Sequence, residues 1–94
     1  MPITKVEGKK TNHKVFIYTL STCGWCKRTK ELLKENDVAY EYIDVDLCKA
    51  EERKNVIEDL RKRNAQFGFP VIIIDDTKLI SGFKPDDIKV ALGI

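Results

Sequence analysis

The chain has 94 residues, the size of one ordinary domain, so every functional element must share a single hydrophobic core. Hydrophobic residues make up 43% and charged residues 34%, with Gly 5 and Pro 3, a balance that excludes a disordered, collagenous or linker-like chain. The 17 basic and 15 acidic residues leave a net charge of +2, too small for the electrostatic footprint of a nucleic-acid binder.

The longest purely apolar run is Val71-Ile72-Ile73-Ile74. A spanning helix needs roughly 20 apolar residues and a signal-peptide core about 7 to 15, so neither a membrane span nor a secretory signal is expected. Cys23, Cys26 and Cys48 are odd in number and two of them are close together, unlike the disulfide framework of a small secreted protein. A monomer in the reducing cytoplasm is the expectation, with the close pair catalytic or metal-binding and not structural.

In chain order, Met1 to His13 shows no sustained period of 2 or 3.6 and reads as a loose leader, with an added edge strand through Ile3 to Val6 as the alternative. His13 reads as a solvated residue closing that leader, because nothing near it in sequence completes a site. Regular signals begin at Lys14. Val15-Phe16-Ile17-Tyr18-Thr19 is β-branched and aromatic without charge, as expected of a central strand covered on both faces. Leu20-Ser21-Thr22 breaks it, and Cys26, Thr29, Leu32 and Leu33 repeat at helical spacing to Asn36-Asp37, so a helix begins at about Cys23.

Val38 to Asp46 alternates as a second strand, Val38, Tyr40 and Tyr42 facing one way and Ala39, Glu41 and Ile43 the other. A charged helix follows from about Lys49 to Asn64, with Val56, Ile57 and Leu60 on its apolar stripe and its Lys, Arg and Glu residues on a solvated face. Pro70 opens the strand Val71 to Asp75; Asp75-Asp76 is a turn signal, and Lys78 to Ser81 returns as a hairpin partner. After Gly82, Pro85 suits the first helical position, Asp86 and Asp87 favour the positive helix end, and Ile88, Ala91 and Leu92 form a last apolar stripe. The order βαβαββα predicts an α/β domain over residues 14–94. Its parallel βαβ half and antiparallel ββα half form one four-stranded mixed sheet flanked by three helices.

The chemistry concentrates in Thr22-Cys23-Gly24-Trp25-Cys26-Lys27, where a strand turns into a helix. A cysteine at a helix N-terminus meets unpaired backbone N–H groups and the positive end of the macrodipole, which favour a thiolate. Cys23 is therefore the candidate nucleophile. Cys26, one turn on, is the candidate resolving thiol that attacks a mixed disulfide formed at Cys23. A structural zinc site would need two more Cys or His, and only Cys48 and His13 remain, in no paired spacing, so no metal site is expected. A static disulfide across two residues would constrain the unfolded chain little. Redox exchange is the reading that best fits the pair.

These residues carry a resemblance. Cys23-Gly24-Trp25-Cys26 after a strand, Phe69-Pro70 before the third strand and Ser81-Gly82-Phe83-Lys84-Pro85-Asp86 after the fourth resemble the glutaredoxin branch of the thioredoxin superfamily, over about Lys14 to Ile94. The last stretch is similar to NrdH-type redoxins, which reduce ribonucleotide reductase and are often recharged by thioredoxin reductase. The resemblance implies a thioredoxin-like fold of glutaredoxin type, dithiol exchange with protein disulfides, a cis bond before Pro70 facing the sulfurs, and pairing of the Phe69 backbone with a bound peptide or glutathione. It makes Trp25, Phe69, Pro70, Gly82 and Phe83 the candidate substrate-binding residues.

Two departures from the family bear on the reductant. Glutathione-using members usually carry Lys three positions before the nucleophile and Gly-Gly followed by an acid near the final helix; here Leu20 and Gly82-Phe83 stand at those places. Asp86 or Asp87 and Lys84 remain as contacts for glutathione, which stays open as a reductant, with no bound cofactor expected. The strand that holds a buried acid in thioredoxin offers Val15, Phe16 and Ile17, leaving the helix terminus and Lys27 and Arg28 to activate Cys23, unless those two are simply solvated. Trp25 is either a partner contact or a shield over the disulfide. Cys48 reads as a small buried hydrophobe. The alternative function is a glutathione-dependent glutaredoxin or a [2Fe–2S] carrier, for which Gly24 in place of proline is compatible.

Overall fold

The computed structural model describes residues 3–65 and 68–94; Met1 and Pro2 of the leader lie outside the described residues. The elements are β1 (Thr4–Val6), β2 (Val15–Thr19), α1 (Gly24–Glu35), β3 (Tyr40–Asp44), α2 (Ala50–Lys62), β4 (Val71–Ile74), β5 (Lys78–Ser81) and α3 (Pro85–Leu92). The sheet order is β1-β3-β2-β4-β5, with β2 and β3 parallel and every other pair antiparallel. A parallel β2–β3 pair needs a crossover, and α1 supplies it. That crossover sets the N-terminus of α1 immediately beyond the C-terminal end of β2.

Two apolar layers follow from strand parity. Val15 and Ile17 of β2, Tyr40 of β3 and Ile72 and Ile74 of β4 face α1 and α3, where they pack with Leu33, Ile88 and Leu92. Tyr18, Ile43, Val71 and Ile73 face the other way, against Val45, Cys48 and Val56. The central strands β2 and β4 are therefore covered on both sides, which accounts for their unbroken apolar sequences. Ile17, Ile43, Ile72, Leu33 and Ile88 are fully buried, and truncating any one to alanine costs about 2–5 kcal/mol. Tyr18 adds a polar fastening: its hydroxyl donates to Asp59 Oδ2 at 2.7 Å, and Arg63 Nε holds the same carboxylate at 3.1 Å, tying α2 to the sheet.

The sheet has one strand more than the four expected. Thr4–Val6 pairs antiparallel with Tyr40–Tyr42, so this part of the leader is a strand, and it occupies the otherwise open edge of β3. Three residues were too short to show a period. The second strand, read from Val38 with its end over Asp44 to Asp46, runs from Tyr40 to Asp44, after which Val45–Leu47 turns as a single 3₁₀ turn into α2. His13 is not merely solvated: its Nδ1 lies 2.7 Å from Asp75 Oδ2, while the Lys14 amide donates to Asp75 Oδ1 and the Asp75 amide to the Lys14 carbonyl, each at 2.8 Å. The base of β2 is thereby clamped to the β4–β5 turn, where Asp75 and Asp76 both adopt positive φ.

The leader is held at a second place. Lys10 donates to the Asp37 carbonyl at 2.9 Å and accepts from the Ala39 amide at 3.1 Å, and this crossing brings Gly8 against the backbone between α1 and β3. A Cβ on Gly8 would stand 2.6 Å from Ala39 N, 2.7 Å from the Val38 carbonyl carbon and 2.8 Å from Asp37 O. Backbone atoms cannot swing away as a flexible side chain can. Gly8→Val is therefore expected to destabilise the protein by about 1–3 kcal/mol in urea unfolding. Amide exchange should quicken at Lys10 and Ala39, whose bonds lie at that contact.

Candidate active site

Cys23 is the residue that caps α1. Its backbone is extended, φ −85° and ψ 115°, and its Sγ accepts the Cys26 amide at 3.1 Å, the bond a serine or aspartate oxygen makes at an ordinary helix start. The same sulfur lies 4.0 Å from the Phe69 carbonyl oxygen, at the outer reach of a sulfur contact. The preceding loop is pinned from below: the Ser21 amide donates to Asp46 Oδ1 at 2.9 Å and its hydroxyl to Asp46 Oδ2, and those bonds hold the Asp46 carboxyl below its usual range.

Cys26 sits one turn along and is only 1% exposed, whereas Cys23 is partly open to solvent. Burial, followed by the hydrogen bond with Cys23, pushes the Cys26 thiol up to about 12. The two thiols differ in kind: one is accessible and receives an N–H bond, the other is enclosed and stays protonated at neutral pH. Cys48 is 4% exposed, packs with Val45, Val56 and Val71, and points its Sγ at the Asp44 carbonyl at 3.5 Å. Burial raises its thiol as well.

Around the pair, the Phe69–Pro70 bond is cis and Pro70 is fully buried. The Pro70 carbonyl accepts the Gly82 amide at 2.7 Å, and Gly82 has φ 83°, a conformation that suits glycine. This bond ties the loop carrying Phe83 to the loop carrying Phe69. Trp25 is 56% exposed; its ring stacks on Phe83 with centroids 5.4 Å apart, and the Arg28 guanidinium lies 5.3 Å from its centroid. An open groove of about 470 Å³ runs beside it, lined by Gly24, Lys27, Arg28, Glu31, Leu32, Glu35 and Phe83. Leu20 packs with the apolar layer containing Tyr18 and Ile43.

The structure thus gathers Cys23, Cys26, Trp25, Phe69, Pro70, Gly82 and Phe83 at one edge and leaves Cys48 and His13 away from these contacts. Among the described residues, no three His, Cys, Asp or Glu side chains converge as a metal set. Two features were missed from sequence. One is the Asp46–Ser21 latch. The other is a half-buried ion pair, Lys30 Nζ to Asp44 Oδ1 at 3.8 Å, on the helix that carries the cysteines. Lys30 follows Cys26 by four residues and Asp44 shares the parity of Tyr42, so helical and strand spacing together were the signal that could have found the pair.

The unequal surroundings of the two sulfurs yield a direct expectation. At neutral pH, iodoacetamide should label Cys23 faster than Cys26 or Cys48 by roughly an order of magnitude or more, as followed by peptide mass spectrometry. Equal rates, or Cys26 reacting first, would remove the distinction between them.

Comparison with known proteins agrees with this geometry. The protein-family model for glutaredoxin matches residues 15–80. The crystal structure of the glutaredoxin from Methanosarcina mazei superposes with a TM-score of 0.86 at 40% identity, covering 98% of this chain and 88% of that one. The methanoredoxin of Methanosarcina acetivorans superposes at 0.80 with 46% identity, covering 86% and 85%. NrdH-redoxin from Escherichia coli, described as a glutaredoxin-like protein with a thioredoxin-like activity profile, superposes at 0.67 with 31% identity, covering 82% and 92%. With more than half of the chain matched and the architecture shared, the chain belongs to the glutaredoxin family and is a thiol–disulfide oxidoreductase.

Proposed function

We propose that the protein reduces protein disulfides by dithiol exchange and is recharged by a protein reductant in preference to glutathione. The observation that carries the reading is the inequality of the two thiols, Cys23 partly open at the helix cap and Cys26 buried one turn behind it. In the first step the Cys23 thiolate attacks one sulfur of the partner disulfide. A Cys23–partner bond forms, the partner S–S bond breaks, and the released sulfur takes a proton. In the second step Cys26 attacks Cys23 Sγ, the intramolecular disulfide forms, and the partner leaves fully reduced. The Phe69 carbonyl lies 4.0 Å from Cys23 Sγ and the Gly82-Phe83 loop is tied to that segment through Pro70, so a partner chain would lie against them.

The choice of reductant rests on the character of the rim. A tripeptide must be held by charged and polar contacts, and here Leu20 is packed into an apolar layer and Phe83 is stacked on Trp25. A protein surface instead gains from Trp25, Phe69 and Phe83, which offer aromatic area at small conformational cost. A flavin-dependent thioredoxin reductase fits as donor. A ribonucleotide reductase fits as acceptor, supported by the similarity to NrdH-redoxin. The reducing cytoplasm is the matching compartment, and a monomer suffices for the chemistry. A [2Fe–2S] role would draw on Cys23 from two copies and on two glutathiones; Gly24 leaves room for it, since nothing lies within 4 Å of a Cβ there, but the apolar rim disfavours it.

Four outcomes are expected. Cys26→Ser accumulates a stable mixed disulfide at Cys23 and largely stops insulin reduction, whereas Cys48→Ser leaves that rate within about twofold. Thioredoxin reductase with NADPH reduces the oxidised protein more efficiently than glutathione does, and Leu20→Lys raises the glutathione rate. Rapid reduction by glutathione in the unaltered protein, with no response to any thioredoxin reductase, would contradict the reading.

A further inference from the structure

The second half of the exchange poses a problem that Cys23 does not solve. Cys26 must lose a proton to attack, yet its burial opposes the charged form. A feature beneath the pair bears on this. On α1, Lys30 lies one turn beyond Cys26 on the same face, and its side chain is only 23% exposed. It does not extend freely into water as a surface lysine would. Its Nζ stands 3.8 Å from Asp44 Oδ1 and 3.7 Å from the Tyr42 ring centroid, so a carboxylate and an aromatic face hold the ammonium against the sheet.

Strand register builds that holder. Thr19 is opposite Asp44 and Ile17 opposite Tyr42 in the parallel β2–β3 pair, which puts Thr19, Tyr42 and Asp44 on the face that α1 covers. The Thr19 hydroxyl is fully buried and lies 2.6 Å from Asp44 Oδ1, close enough to orient that carboxylate. Keeping a lysine and an aspartate partly out of water is costly unless they are paired, and here the pairing offsets that cost. Its position gives it another use.

We propose that Lys30 is a positioning residue for resolution: held by Asp44 and Tyr42, its ammonium favours the Cys26 thiolate as that sulfur attacks Cys23. With Cys23 held in the mixed disulfide, the charged and titratable groups around this step are Lys30 on the same helix and Asp44 and Tyr42 across from it on β3. The Leu20 backbone favours ionisation of Cys26 most, and Lys30 is the one side chain that adds to it. The atoms balance without a further reagent. The Cys23–Cys26 bond forms, the Cys23–partner bond breaks, and the proton lost from Cys26 ends on the departing partner sulfur. The inference rests on the roles proposed for Cys23 and Cys26.

Ellman's reagent separates the two steps, because Cys23 releases one thionitrobenzoate on attack and Cys26 releases the second on resolution. In a Cys48→Ser background, Lys30→Met should leave the first phase within about twofold and move the pH midpoint of the second upward by about one unit. Since nucleophilicity rises as thiolate fraction falls, the second phase at neutral pH should slow by only about threefold. Lys30→Arg should restore most of the loss. Lys30→Gln provides a second neutral variant if the methionine form fails to fold, with circular dichroism as the check. Two normal phases with an unmoved pH midpoint in a folded neutral variant would overturn the role of Lys30 alone. Absence of a second release in the unaltered protein would instead overturn the dithiol reading on which it rests.

Discussion

The hydrogen bond from the Cys26 amide to the Cys23 sulfur is the contact on which the active edge depends. It starts α1 at Gly24, places one cysteine at the mouth of the helix and sends the other inward with the buried stripe of Thr29 and Leu33. A helix cap is ordinarily an oxygen, worth about 1 kcal/mol. Here the capping atom is also the sulfur proposed to react, so the same local geometry that begins the helix supplies an N–H to it. The difference between an accessible and an enclosed thiol then follows from a single turn of helix.

That cap is useful only because the sheet fixes where it points. The right of way for α1 is set by the parallel β2–β3 pair, while the antiparallel β4–β5 hairpin brings Phe69-Pro70 and Gly82-Phe83 to the same edge, joined through the Gly82 amide and the Pro70 carbonyl. Asp46 anchors the approach to Cys23 from the far end of β3. Exposed pairs such as Lys14 with Asp76 add little, about 0–1 kcal/mol, beside the buried aliphatic layers that keep these loops in register.

Much of this was readable in the chain because periodicity and burial agree. Val15–Thr19 and Val71–Ile74 announce strands covered on both faces, Cys26, Thr29 and Leu33 mark the inner face of α1, and the Pro85-Asp86-Asp87 start of α3 is where capping preferences put it. The placement of Cys23-Gly24-Trp25-Cys26 between a strand and a helix was sufficient to point to redox chemistry. What escaped was tertiary in origin. Thr4–Val6, where an edge strand is only the alternative to a loose leader in sequence, is a strand because β3 has an edge to offer; Gly8 is required by a backbone that lies 29 residues further on, at Asp37. Asp44 looked like the polite end of a strand, and its importance depends on Thr19 and Lys30, neither of which is near it in sequence. Trp25 reads from sequence as a shield or a partner contact, and only the fold shows its ring stacked on Phe83 with the residue more than half exposed.

The central claim is that reducing power leaves through Cys23 and Cys26 together, with the third cysteine as packing. The most direct measurement is disulfide mapping by mass spectrometry after one equivalent of reduced protein has reacted with an oxidised protein substrate. The expected product carries one Cys23–Cys26 disulfide with Cys48 as a free thiol. A product in which Cys23 is paired with Cys48, or in which Cys23 remains linked to the substrate while Cys26 stays reduced, would contradict the account.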